Sequence, residues 1–173
     1  MSLSLYDVTV PTYLQILSGV KQVLQKGADH AATGAFDREA LVHERMYEDM
    51  LPFSFQVVSV WNHTLCAVKS LETGLFGPSG DMGELNYARL QGLIDEAIDG
   101  LNAVTPEQVN ACSGKPVKFK MGDYELPFTA ENFALSFSIP NQIFHASTTY
   151  AMLRQKGVPL GKQDFIGPLR LAV

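Results

Sequence analysis

Glu84–Gln108 reads ELNYARLQGLIDEAIDGLNAVTPEQ, and its apolar residues Leu90, Ile94, Ala97, Leu101 and Val104 recur at alternating intervals of four and three. That spacing sets them along one stripe of an α-helix, the seam expected of a helix that lies nearly parallel to its neighbours in a bundle. The stripe stops before Thr105-Pro106-Glu107-Gln108. A Thr cap, a proline in the first turn and a Gln three residues after the cap predict a capping box and one further helical turn.

Downstream, Val117-Lys118-Phe119-Lys120 alternates apolar with polar, Gly122-Asp123 offers a tight turn, and Tyr124-Glu125-Leu126 resumes the alternation. This predicts a small β-hairpin, which is marginal alone and should lean on the helices as a lid over one bundle end. Thr129 caps a further long helix through Phe133, Phe137, Phe144 and Ala151 to Lys156, with Gly157 as its stop. Pro140 lies inside it, where it should kink the helix and free a carbonyl near Ser136. Val158 to Val173 has too few periodic apolar positions for another helix.

Upstream, Val58, Trp61, Leu65 and Val68 line one face of a helix from Pro52, a first-turn proline, to Gly74. Leu75 to Gly83, rich in Gly and Pro, reads as a loop. Asp37 opens a short segment before that helix. The first long helix carries Tyr13, Ile16, Leu17, Val20 and Leu24 on one face and should end near Gly27. Pro11 either begins its regular part or kinks it, so that Leu3 to Val8 forms a preceding turn. Four long helices with a hairpin between the third and fourth predict an all-α, up-down four-helix bundle, a single domain over residues 1–173.

Composition agrees with a folded domain: 173 residues, 46% apolar and 18% charged. A net charge of −5, with no Lys/Arg cluster, argues against nucleic acid and against a membrane surface as partners. Met1 to Val10 lacks the basic start and unbroken apolar stretch of a signal peptide, so a cytoplasmic location is expected. Cys66 and Cys112 have no CxxC spacing and read as small buried thiols kept reduced.

Two polar residues interrupt the apolar fourth helix. Asn141 and His145 are four apart and project from the same face, where they form either a hydrogen-bonded core pair or the wall of a pocket. Asn62 and His63 on the second helix are adjacent, so at most one should face the core. An inward His63 could meet His145 across the bundle, and imidazole pairs can bind zinc, nickel or iron. His30 and His43 read as surface residues, and Arg45, Glu48 and Asp49 as structural pairing at the entry to the second helix. No P-loop, dinucleotide fingerprint, HExxH or GxSxG pattern occurs, and no catalytic residue is assigned.

The opening Ser4-Leu5-Tyr6-Asp7-Val8-Thr9-Val10-Pro11, the entry Asp49-Met50-Leu51-Pro52, Pro140-Asn141 through His145-Ala146-Ser147-Thr148-Thr149-Tyr150, and the tail Gly161-Lys162-Gln163-Asp164-Phe165-Ile166-Gly167 resemble an uncharacterised family of domains of unknown function within the DinB/YfiT-like four-helix-bundle superfamily. The resemblance spans nearly the whole chain. It implies an up-down bundle holding a divalent metal by three histidines, one from the second helix and two spaced by four late in the chain; several members are thought to transfer groups to or from small thiols. His145 matches one late histidine, Asn141 and Thr149 stand four residues to either side of it, and His63 is the candidate from the second helix.

The leading expectation is therefore a DinB-like protein with a polar small-molecule pocket at Asn62, Asn141 and His145, or a degenerate enzyme. Its rival is a transferase or hydrolase dependent on a divalent metal such as Zn or Ni, held by His63, His145 and a carboxylate. A third reading is a structural or stress-related homodimer. Lys162 and Asp164 in the tail form an exposed pair or dock against the bundle mouth.

Overall fold

The structure is a computed structural model that describes residues 3–171. It is mostly helical with one small sheet, in the order α1 (Leu5–Ala32), α2 (Arg38–His43), α3 (Phe53–Trp61), a π-helical turn π1 (Asn62–Cys66), α4 (Ala67–Thr73), β1 (Leu75–Phe76), α5 (Tyr87–Asn102), α6 (Pro106–Asn110), β2 (Pro116–Met121), β3 (Tyr124–Thr129), α7 (Ala130–Asn132), a second π-helical run π2 (Phe133–Ser138), α8 (Ile139–Gln155) and α9 (Lys162–Ile166). The helical runs 53–73 and 130–155 are each continuous through their π segments. Among the described residues no helix is long and apolar enough to cross a membrane.

The core sits where α1 and α3 each pack against both α5 and α8. On α5, Leu90, Ile94, Ala97 and Leu101 are fully buried, as the stripe predicts, and Leu93 joins them. On α1, Tyr13, Leu17, Val20 and Leu24 face the core, with Ile16 half-buried at its edge. Phe53 and Tyr87 stack at 6.0 Å, and the Tyr87 hydroxyl donates to the Leu24 carbonyl at 2.8 Å. Tyr87→Phe removes that buried bond and nothing else, so a loss of about 1 kcal/mol in urea unfolding is expected.

Several boundaries differ from the sequence reading. Residues expected as a turn before α1 are its first turns: the Ser4 hydroxyl accepts from Asp7 N–H, and the Asp7 carboxylate accepts from Ser4 N–H at 2.9 Å, a capping box that starts the helix at Leu5 and carries it through Pro11. Nor does α1 end near Gly27. That glycine is buried within it, because a Cβ there would meet the Tyr87 hydroxyl at 2.5 Å and Leu153 at 2.8 Å. Pro52 is the N-cap of α3 and not a first-turn residue. Asp37, Thr105 and Thr129 cap α2, α6 and α7 as expected, with a full capping box at Thr105.

The stretch read as a loop from Leu75 begins with a strand. Gly74, at φ +72°, ends α4 in the left-handed conformation and turns the chain so that β1 runs parallel to β2, Leu75 opposite Lys118 and Phe76 opposite Phe119. β2 and β3 form the predicted antiparallel hairpin, closed by Gly122 at φ +60°. The sheet is thus three-stranded, in the order β1-β2-β3. It leans on the helices through aromatic side chains: Phe76 lies 5.1 Å from Phe133, Phe119 lies 5.0 Å from Phe137, and Phe128 lies 5.5 Å from Phe137.

The tail also contradicts its reading, since Lys162–Ile166 forms α9 and packs on α1. Asp164 pairs with Lys26 at 2.6 Å and accepts from Gln22 at 3.1 Å, while its other oxygen accepts from Gly161 N–H. Lys162 is not its partner.

Candidate functional site

The two π segments lie on facing helical runs and shape one cavity. A π turn closes its bonds one residue further along the chain than an α turn, which widens it and alters where successive side chains point. At π1 this brings adjacent Asn62 and His63 both inward: they are 8% and 9% exposed, and both line the cavity. The expectation that at most one of them faces inward, drawn from α-helical spacing, is corrected by that turn. At π2 the widened run precedes Pro140, which has no N–H to offer the preceding turn, and the Asn141 side chain donates to the carbonyl of Phe137, four residues before it, at 2.7 Å. The two runs are joined by a bond from the Ser138 hydroxyl to the His63 carbonyl at 2.7 Å.

The cavity between them measures about 370 Å³, within the range of small-molecule sites. Leu51, Phe55, Phe76, Phe119, Met121 and Phe137 make its apolar walls, with Ser59, Asn62, His63, Asn141 and His145 among them. The predicted trio Asn62, Asn141 and His145 is therefore brought together, and His63 joins it. The His63 and His145 rings stack at 6.1 Å, inclined by 18°. His63 also lies 5.2 Å from Phe76 and 5.5 Å from Phe137, and its Nδ1 is buried without a hydrogen-bond partner.

Burial governs the electrostatics. It pushes His63 down to about 3, with the nearby His145 adding to the effect, and burial alone pushes His145 down to about 4. Both rings are neutral at neutral pH. Among the described residues no Asp, Glu, Lys or Arg lines the cavity.

Gln56 was not singled out from the sequence. It lies on α3, 3% exposed, donates to the Leu51 carbonyl at 2.9 Å and contacts His145 Nδ1 through Oε1 at 2.8 Å. A lone amide in the apolar run FSFQVVSV carried the same signal that marked Asn141. Asn62 in turn donates to the Gly77 carbonyl at 3.0 Å and so anchors the chain after β1. A second cavity of about 270 Å³, with Trp61, Cys66 and Lys69 in its lining, adjoins across Gly77-Pro78-Ser79.

The three-histidine set implied by the superfamily is not completed by the residues present. Thr149 is buried and donates to the His145 carbonyl at 2.9 Å, and Asn141 presents an amide where the second late histidine would stand. Among the described residues no group of three or more His, Cys, Asp or Glu is placed to hold a metal ion. Two imidazoles without a carboxylate fall short of the three or four N, S or carboxylate ligands usual for a tight transition-metal site. Of the remaining candidates, Arg45 donates to the Met50 carbonyl at 2.9 Å, His30 leans on Phe36, His43 is exposed, and both cysteines are free, Cys112 buried as expected and Cys66 only half-buried.

A family model described as "Domain of unknown function (DUF1993)" matches residues 5–166. Among solved structures, the crystal structure of a DinB family member protein from Shewanella denitrificans superposes with a TM-score of 0.80 at 25% identity, covering 98% of this chain and 95% of that one. No curated protein matches.

Proposed function

The chain belongs to the DUF1993 family of domains of unknown function, with a DinB-like fold, and from that premise we propose that it is a single up-down four-helix-bundle domain whose cavity at Asn62, His63, Asn141 and His145 binds an uncharged small molecule, at a site that has departed from three-histidine metal binding. The observation that carries the reading is the pair of stacked imidazoles, held neutral by burial, in a wall that is otherwise mostly apolar. Neutral polar groups at a few points on an apolar surface are what fix the orientation of a small organic ligand.

Two measurements test this. Elemental analysis of tag-free protein, beside the His145→Ala variant and without chelators, is expected to find no stoichiometric metal in either. About one equivalent, lost in the variant, would replace this reading by the metal-dependent transferase or hydrolase. Titration with benzyl alcohol and with indole is expected to shift the His63 and His145 ring resonances saturably with Kd of about 1 mM, the range such small probes reach. Silence of both rings towards both probes refutes the binding reading.

A further inference from the structure

Gln56 determines which nitrogen of His145 keeps its lone pair. Its Nε2 donates to the Leu51 carbonyl at 2.9 Å. Reversing the amide would set its oxygen against that carbonyl, two acceptors with no proton between them. Oε1 therefore faces His145 Nδ1 at 2.8 Å, and because an amide oxygen only accepts, Nδ1 carries the proton. A neutral imidazole has one N–H, so Nε2 holds a lone pair. It makes no hydrogen bond among the described residues and is not buried, on a residue that lines the cavity.

The two asparagines share this polarity. Asn62 and Asn141 each use their Nδ2 on a backbone carbonyl, Gly77 and Phe137, and no hydrogen bond uses either Oδ1. The neutral His63 ring brings one N–H and one acceptor nitrogen, and the Ser59 and Ser79 hydroxyls can act either way, so His145 Nε2 and the two free Oδ1 atoms leave acceptors in excess, with no formally charged side chain in the lining among the described residues. A carboxylate at position 56 would favour the doubly protonated ring, whereas the amide orients the ring and leaves it uncharged. An anion entering here would lose its hydration and find no cation.

We infer that the cavity takes an uncharged ligand with an apolar body and a hydroxyl or N–H group, that this group donates its hydrogen bond to His145 Nε2, and that Gln56 is the positioning residue that keeps Nε2 an acceptor; the inference rests on the cavity being a binding site, as proposed above. The ligand class follows from the excess of acceptors, and the role of Gln56 from its two hydrogen bonds.

Long-range proton–nitrogen correlation of the wild-type protein at neutral pH reads the tautomer directly, and the Nδ1-protonated form of His145 is expected. Phenol, anisole and benzoate then share one ring and differ in the polar group. Phenol is expected to shift the His145 resonances with a Kd at least about fivefold below that of anisole, the worth of one net hydrogen bond, and benzoate to leave them unmoved. In Gln56→Met, of similar length but without the amide, the tautomer should move towards Nε2–H and the preference for phenol should collapse. Should that variant not fold, the wild-type tautomer and the phenol-to-anisole ratio decide by themselves. A wild-type ring protonated on Nε2, or anisole binding as tightly as phenol, overturns the inference and leaves a binding cavity in place. Failure of all three probes to bind saturably overturns the inference and the binding reading together.

Discussion

Lowering the pH from about 6.5 to about 4 is expected to remove about 3–4 kcal/mol of folding stability, most of it from the more deeply buried His63 and a screened share from the partly exposed His145, out of the roughly 5–15 kcal/mol by which a domain is stable. The cause is the two buried imidazoles. An unfolded chain protonates its histidines near 6.5, while burial holds His63 at about 3 and His145 at about 4 in the folded protein. Between those values the unfolded state binds more protons than the folded one, so stability falls as pH falls, and the loss levels off once the folded rings are protonated as well. The carboxylates act in a lower window. Hydrogen bonds from Ser4 hold Asp7, bonds from Ser113 hold Glu131, and the Lys118 and Lys26 ammonium groups hold Glu125 and Asp164 below their usual ranges. Their contributions are complete above the unfolded values of 3.8 and 4.5 and are lost only below them. Urea midpoints measured from pH 7 to pH 4 should therefore slope upward with pH in the histidine window. His63→Leu should remove most of that slope and His145→Leu the smaller share. A double variant with the wild-type slope would place the acid sensitivity elsewhere.

The helices were legible because their signals are local. The α5 stripe, the Thr105 capping box and the Asp37 and Thr129 caps depend on residues within one or two turns, and each stands where its pattern sets it. Gly27 and the stretch before Pro11 were misread because glycine and proline end helices or sit inside them, according to what packs beside them. Gly27 stays helical because Tyr87 and Leu153 occupy the space of its missing side chain. β1 has only two residues, and its pairing with Lys118 and Phe119 comes from more than forty positions away, so no period could announce it. At the site, Asn141 and His145 stood out as polar residues in an apolar helix. The joint burial of Asn62 and His63 did not, because angles computed at α-helical spacing do not hold across a π turn. Gln56 acquires its meaning only from His145, 89 residues later in the chain.

The contact between α1 and α9 yields the sharpest test of packing. Gly19 lies in the middle of α1, where an alanine ordinarily adds about 1 kcal/mol of stability because glycine gives up more backbone freedom on folding. Here the Cβ of Gly19→Ala would come within 2.0 Å of the Phe165 carbonyl oxygen, and that neighbour is backbone, which cannot swing aside as a side chain could. The tail is equally constrained at its other end: Gly167, at φ +71°, lies against the backbone of Gln15, where an added Cβ would be 2.1 Å from the carbonyl oxygen. Neither helix can shift locally to make room, so α9 has to leave. Its departure breaks the Lys26–Asp164 pair, the Gln15 bond to the Ile166 carbonyl and the contact of Phe165 with Tyr150. A net loss of about 2 kcal/mol is expected, of the size found for overpacked interiors, together with rapid proteolysis within residues 161–167 while the rest of the chain stays protected. Gly92→Ala on α5 is the matched control. It makes the same change in a helix where the new Cβ meets only the tip of Arg89, at 4.0 Å, and it should stabilise the protein by about 0.5–1 kcal/mol. Opposite signs for one substitution at two helical glycines would locate the difference in the docked tail; the same sign at both would mean that α9 does not hold its place on α1 in solution.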